Sequence, residues 1–177
     1  YEPGSTFKVL VMASGIDSGV VKPDSKCPIC DGPVEIGGYQ IKTWNGKYFP
    51  GSSMTEVIQH SDNTGMVYVG QKLGLSRFIK YLQRFGIGTL TGIDIQGEVT
   101  EPIRPEKRWI DIDLATASFG QGITVTPISL ITAVNSLANG GKLMKPMVVD
   151  KILTAEGETI QLNPQEVGRT VSAATAK

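Results

Sequence analysis

The chain has 177 residues, with 17 basic and 17 acidic side chains, a formal net charge of zero and 40% hydrophobic residues. That length and balance fit one globular domain with a sizeable core, and they leave no electrostatic footprint for nucleic acid or an anionic membrane surface. No apolar run reaches the roughly 18 residues of a membrane-spanning helix, none of the chain reads as a signal peptide, and 21 glycines with 10 prolines imply many turns.

In chain order, the first segment is Tyr1-Glu2-Pro3-Gly4-Ser5-Thr6-Phe7-Lys8. A helix is predicted from Ser5 to about Ser14, almost wholly apolar through Phe7, Val9, Leu10, Val11 and Met12, and therefore buried. Burial would set Ser5 at the helix end against the core. Positions i and i+3 share a helix face, so Ser5 and Lys8 are placed together. A serine needs a base to become nucleophilic, and a neutral lysine amine can serve. The positive end of the helix dipole is expected to push the Lys8 pKa down. The spacing alone is common on solvated helix faces, so the pair needs company before it means chemistry.

Residues from about 15 to 52 are dense in Gly, Pro, Asp and Lys, and read as an irregular insertion with a hairpin of Val34-Glu35-Ile36 and Tyr39-Gln40-Ile41. Ser53 is an N-cap for a short helix through Gln59, with Glu56 at the capping-box position. A helix from Asn63 to Leu73 stops at Gly74, and another runs from Ser76 to Phe85 with Phe78, Leu82 and Phe85 on one face. After a loop over 86–107, Asp111 to Ser118 is a short helix followed by the turn Phe119-Gly120-Gln121-Gly122. Thr126 caps the strongest helix, with Pro127 at its first position and Asn139-Gly140-Gly141 as the stop. Met147 to Leu153 and Thr159 to Leu162 form a second hairpin, and Val171 to Lys177 reads as the start of a helix.

Several polar groups invite chemistry on their own. His60 is the single histidine and sits at a helix end, where a surface or capping role suits it. Cys27-Pro28-Ile29-Cys30 has no second cysteine pair, so it cannot make a four-ligand zinc site alone; a local disulfide or two free thiols is the plainer reading. Trp44, Tyr48 and Phe49 are expected to pack in the core. Glu98 is expected to support a turn, and neither it nor Glu101 resembles a deacylating base.

The second candidate for chemistry is Ser61-Asp62-Asn63, which could equally be a helix N-cap. Ser-x-x-Lys followed by Ser-Asp-Asn is two-thirds of a known serine acyl-transfer trio. Around both, the segment Tyr1 to Lys8, Ser61-Asp62-Asn63-Thr64-Gly65, Arg84-Phe85-Gly86-Ile87-Gly88, Thr91-Gly92-Ile93-Asp94, Gly97-Glu98, Ala117-Ser118-Phe119-Gly120-Gln121-Gly122, Thr126-Pro127 and Ala138-Asn139-Gly140-Gly141 resemble, in order, the class B penicillin-binding proteins. The resemblance covers nearly the whole chain.

That resemblance implies an α/β (α+β) fold of the β-lactamase/transpeptidase kind, here mainly its helical part plus a β-hairpin, with part of the central antiparallel sheet missing. Residues 1–177 would be a partial transpeptidase domain of a larger protein. Ser5 would be the acylated nucleophile, Lys8 its base, Ser61 the proton shuttle and Asn63 the group that binds substrate amide and steadies Lys8. The Ser5 backbone N–H would supply half of the oxyanion hole. Peptidoglycan stem peptides would be the substrates and β-lactams the mimics that acylate Ser5. No cofactor and no metal are implied. The parent protein would work on the outer face of the bacterial cytoplasmic membrane, held by an N-terminal anchor among membrane-bound cell-wall partners. A penicillin-sensing receptor and a non-catalytic assembly scaffold are the other readings. The family's third motif, Lys-Thr-Gly, is absent: Lys42-Thr43-Trp44 precedes Ser61 and lacks the glycine, so this chain by itself is expected to be a poor enzyme.

Overall fold

The structure, a computed structural model, describes residues 1–177. A 3-10 turn, Gly4–Phe7, leads into α1 (Lys8–Asp17), the element around which the others assemble. The apolar run across the turn and α1 puts Phe7, Leu10 and Val11 at no more than 1% exposure, where each such side chain contributes about 1.5–3 kcal/mol of transfer free energy. Against α1 lie α2 (Met54–Gln59), α3 (Asn63–Leu73), α4 (Leu75–Arg84) and α6 (Pro127–Ala138), while α5 (Asp111–Ala117) packs against α3. No helix is long and apolar enough to cross a membrane.

Helix α1 differs from the expected Ser5–Ser14 span at both ends. Its entry is wound as a 3-10 turn after Gly4, which has φ +57°, and its exit runs on through Gly15 to Asp17. Gly15 lies inside the helix instead of ending it, and its missing side chain lets α3 pack close: a Cβ on residue 15 would meet Val69 at 2.8 Å. Asp17 then collects three donors, the Tyr81 hydroxyl at 2.7 Å, the Ser172 N–H at 2.7 Å and the Thr175 hydroxyl at 3.0 Å. Burial and the Asp17 carboxylate together push the Tyr81 phenol up to about 12.

The capping signals are realised as read. Ser53 and Glu56 form the reciprocal box of α2, Asp62 caps α3, and Thr126 with Pro127 opens α6. Helix α4 begins one residue earlier than Ser76 and ends at Arg84.

The strands make three separate two-stranded antiparallel ribbons and no central sheet. Strands β1 (Val34–Ile36) and β2 (Tyr39–Ile41) are the expected hairpin in the insertion. The second hairpin is shorter than its expected span, β4 (Lys151–Leu153) with β5 (Thr159–Gln161). The N–H groups of Val148 and Val149 are turned instead to the Asp94 carboxylate at 2.8 Å each, so pairing starts only beyond them. The third ribbon, β3 (Lys142–Met144) with β6 (Glu166–Arg169), carried no local signal because its partners lie on either side of that hairpin. Residues 171–177 do not continue as a helix; they make one turn, Ala176 N–H to Ser172 O at 3.1 Å, docked on Asp17.

Candidate active site

Lys8 is the first residue of α1 and is 2% exposed, an unusual place for an amine. Its Nζ donates to Ser61 O at 2.7 Å, Ser61 Oγ at 3.0 Å and Asn63 Oδ1 at 2.7 Å. Those three acceptors use every proton of an ammonium. Burial pushes the Lys8 pKa from 10.5 down to about 8, with the Asp62 carboxylate opposing part of that fall. Desolvation, rather than the helix dipole invoked from sequence, is therefore the main cause.

The acceptors come from the turn between α2 and α3. Ser61 has φ +52° and is the one non-glycine residue with positive φ in the chain. That left-handed kink directs its carbonyl and its hydroxyl to the same amine, at a backbone cost of order 1 kcal/mol. Asp62 fixes the next turn, its Oδ1 accepting from Thr64 N–H at 2.8 Å, Thr64 Oγ1 at 2.7 Å and Gly65 N–H at 3.3 Å. Asn63 then opens α3 with its carboxamide between two groups: Oδ1 on Lys8, and Nδ2 donating to the Lys42 carbonyl at 2.8 Å.

Ser5 lies in the 3-10 turn and is exposed, contrary to its expected place against the core. The turn carries Phe7 and Lys8 inward and leaves Ser5 and Thr6 on the outside. The structure thus brings Lys8, Ser61 and Asn63 into direct contact, while Ser5 stands one turn before Lys8 and is not among its hydrogen-bond partners. The turn itself is firmly held. Gly4 N–H donates to Gly120 O at 2.9 Å, Gly122 N–H donates to the Glu2 carboxylate at 2.9 Å, and Val125 N–H donates to Tyr1 O at 3.0 Å. Gly120 has φ +83°, and a Cβ there would collide with Gly4 O at 2.0 Å, so glycine is required on both counts.

Two contributors were not visible as such in the sequence. Lys42 was read as part of the insertion, yet its backbone carbonyl reaches the site; a main-chain acceptor has no side-chain signature. Asp62 was read as a cap, and its charge also acts on Lys8. Around them, Cys27 and Cys30 form a disulfide and are buried. Phe49 stacks on His60 with ring centroids 3.9 Å apart. Of the three aromatics expected in the core, Trp44 is 76% exposed in the turn after buried Thr43, and Tyr48 and Phe49 are only half-buried. Glu98 supports its turn, accepting from Thr91 N–H and the Thr91 hydroxyl at 2.6 Å each. A cavity of about 490 Å³ lined by residues including Arg84, Phe85, Leu143 and Arg169 contains none of the four site residues.

Comparison with known proteins gives the family. The chain is 38% identical to stage V sporulation protein D of Bacillus subtilis over 148 residues, which is 84% of this chain and 23% of that protein. It is 31% identical to the peptidoglycan D,D-transpeptidase FtsI of Escherichia coli K12 over 172 residues, 97% of this chain and 28% of that protein. Among solved structures, penicillin-binding protein 3 of Mycobacterium tuberculosis complexed with aztreonam superposes with a TM-score of 0.91 at 26% identity, over 99% of this chain and 39% of that one. The chain therefore spans about a quarter of the length of such curated relatives, 23% and 28% in these two cases. The fold is that of the β-lactamase/transpeptidase class. The family model described as the penicillin-binding protein transpeptidase domain matches residues 1–177 throughout, and the chain belongs to that family.

Proposed function

We propose that this chain carries the nucleophile half of a peptidoglycan D,D-transpeptidase centre. The observation that carries the reading is a buried lysine amine, lowered to about 8 and held by both Ser61 and Asn63, one helical turn after an exposed serine. In the neutral form the Lys8 amine has a lone pair to accept the Ser5 proton as Ser5 Oγ attacks the carbonyl carbon of the terminal D-alanyl–D-alanine bond. The Ser61 hydroxyl, 3.0 Å from that amine, passes the proton on to the departing D-alanine nitrogen. Asn63 fixes the amine and offers its amide to the substrate. The acyl-enzyme ester on Ser5 is then opened by an amine from a neighbouring stem peptide, which regenerates the hydroxyl.

A β-lactam would enter the same path by ring opening and leave Ser5 acylated. Solved relatives at 26% identity are complexes of penicillin-binding protein 3 with aztreonam and with ampicillin, which supports β-lactams as ligands here. The relatives' names also support work on the cell wall, which lies outside the cytoplasmic membrane. The parent protein would act there, held by a membrane anchor and alongside other cell-wall enzymes. Carboxylate recognition and the second oxyanion donor are assigned to the Lys-Thr-Gly strand, a motif that this sequence does not contain.

The test is intact-mass measurement of the full-length parent after incubation with a labelled penicillin. One long-lived adduct on Ser5, abolished in Ser5→Ala, is expected. Absence of any adduct would overturn the assignment, and rapid loss of the adduct would point to a hydrolase. The 177-residue chain alone is expected to label weakly.

A further inference from the structure

The Asp62 carboxylate is only half used. Its side chain is 2% exposed, and Oδ1 alone takes the three capping bonds from Thr64 and Gly65. Oδ2 is fully buried and has no hydrogen-bond partner. A cap does not need this arrangement. A serine or asparagine caps a helix about as well as aspartate does and leaves no orphaned charged oxygen in the interior. A buried carboxylate oxygen without a donor is costly unless a nearby positive charge compensates it. The neighbour that can do so is Lys8, held by the residues on either side, Ser61 and Asn63; the carboxylate makes no direct ion pair with it and acts across space.

Other charges around Lys8 are committed elsewhere or remote. Asp17 ends α1 and meets Tyr81, Arg84 and the 172–175 turn. Glu56 of α2 is bonded to Ser53 at its own N-cap. Lys72 lies in the last turn of α3, and α6 carries no charged side chain. On α4, Arg77 donates to Leu73 O and Arg84 pairs with Asp17, while Lys80 is exposed. His60 stacks on Phe49, and Lys42 meets the site only through its carbonyl.

We infer that Asp62 is a positioning residue for the base: its buried carboxylate is the counter-charge that holds the protonated Lys8 amine in the Ser61–Asn63 cradle between turnovers. This rests on the reading of Lys8 as the base. The carboxylate opposes the desolvation that pushes Lys8 down, so it keeps the amine a stronger base than burial alone would allow. The middle residue of Ser61-Asp62-Asn63 thus sets the pH at which the base becomes available, and the two outer residues set where it points.

The experiment titrates Lys8 directly in the full-length parent protein, by NMR of 13Cε-labelled lysine, with the Lys8 signal assigned by its loss in Lys8→Arg. Asp62→Ser and Asp62→Asn keep a capping oxygen. Both are expected to lower the Lys8 midpoint by about one pH unit, roughly a tenfold change in neutral amine on the acid side of the midpoint. An unchanged midpoint in variants that melt as a folded chain would reduce Asp62 to a cap and overturn the inference. The wild-type chain supplies a second arm that needs no variant. Raising salt from about 0.05 to about 0.5 M should leave the midpoint in place, because a buried pair is screened little; a midpoint that moves with salt would assign the field to surface charges and overturn it as well. None of these readouts depends on penicillin labelling, so failure of the acyl-transfer reading is detected separately.

Discussion

Lys8 makes a prediction with a definite sign. In the proposed role, an amine with its pKa at about 8 must lose its proton before Ser5 can be acylated, so the acylation rate of the full-length protein by a penicillin should climb with pH through about 8 and level off above it. Stopped-flow acylation across pH 6 to 10 checks this; a rate flat over that range would remove Lys8 from the role of base. The same shift has a stability consequence. The unfolded chain holds this proton up to about 10.5 and the folded chain only to about 8, so between those values the unfolded state binds more protons. Stability should therefore rise with pH across that window, and the rise should vanish in Lys8→Met. Chemical denaturation at several pH values measures it. At this scale the sequence marked out the candidates and their company, since Ser5 with Lys8 and Ser61 with Asn63 stand in recognisable motifs, and the structure brings Lys8, Ser61 and Asn63 into contact. It was silent on environment: burial of the amine depends on how α1 meets the α2–α3 turn, and no short motif encodes that.

For the elements, caps were legible and lengths were not. Ser53 with Glu56, and Thr126 with Pro127, satisfy orphan N–H groups within a few residues, so a local pattern is enough. The role of Gly15 inside α1 is set by what packs there, Val69 of α3, and that information lies more than fifty residues away. The β3–β6 ribbon was missed for the same reason. Two substitutions probe the elements that carry the nucleophile turn. Phe7→Ala removes a ring with 0% exposure from the underside of that turn and should cost about 3–5 kcal/mol in unfolding experiments. Gly120→Ala imposes a Cβ 2.0 Å from Gly4 O at a positive φ, and should cost at least about 2 kcal/mol while also slowing acylation. A stable Gly120→Ala chain with normal labelling would show that the turn is not held from there.

Across the whole molecule, stability is unevenly spread. Every residue of β4 and β5 is exposed, and the ribbon hangs on the Asp94 carboxylate, whereas α1 and α3 are lined by fully buried side chains. Amide exchange should accordingly be fastest at 151–161 and slowest in α1 and α3, by orders of magnitude. The Cys27–Cys30 bridge closes a very short loop, so replacing both with alanine should cost about 2 kcal/mol, less than a long-range disulfide would. The overall class was readable because glycine turns, caps and motif order recur along the entire chain. The division of the strands into three ribbons was not, since a three-residue strand carries almost no periodic signal.

The clamp between residues 1–4 and 120–125 sets the order of events in folding. Tyr1 and Val125 exchange hydrogen bonds across 124 positions of sequence, among the most distant contacts in the chain. Closing so large a loop comes after local helices have formed. The turn that carries Ser5 is therefore among the last parts to acquire its shape, although it precedes all of its partners in the sequence. In refolding experiments on the parent protein, competence to trap penicillin should lag behind recovery of helical circular dichroism. An antibiotic adduct would then mark chains that have finished folding and pass over those still in progress.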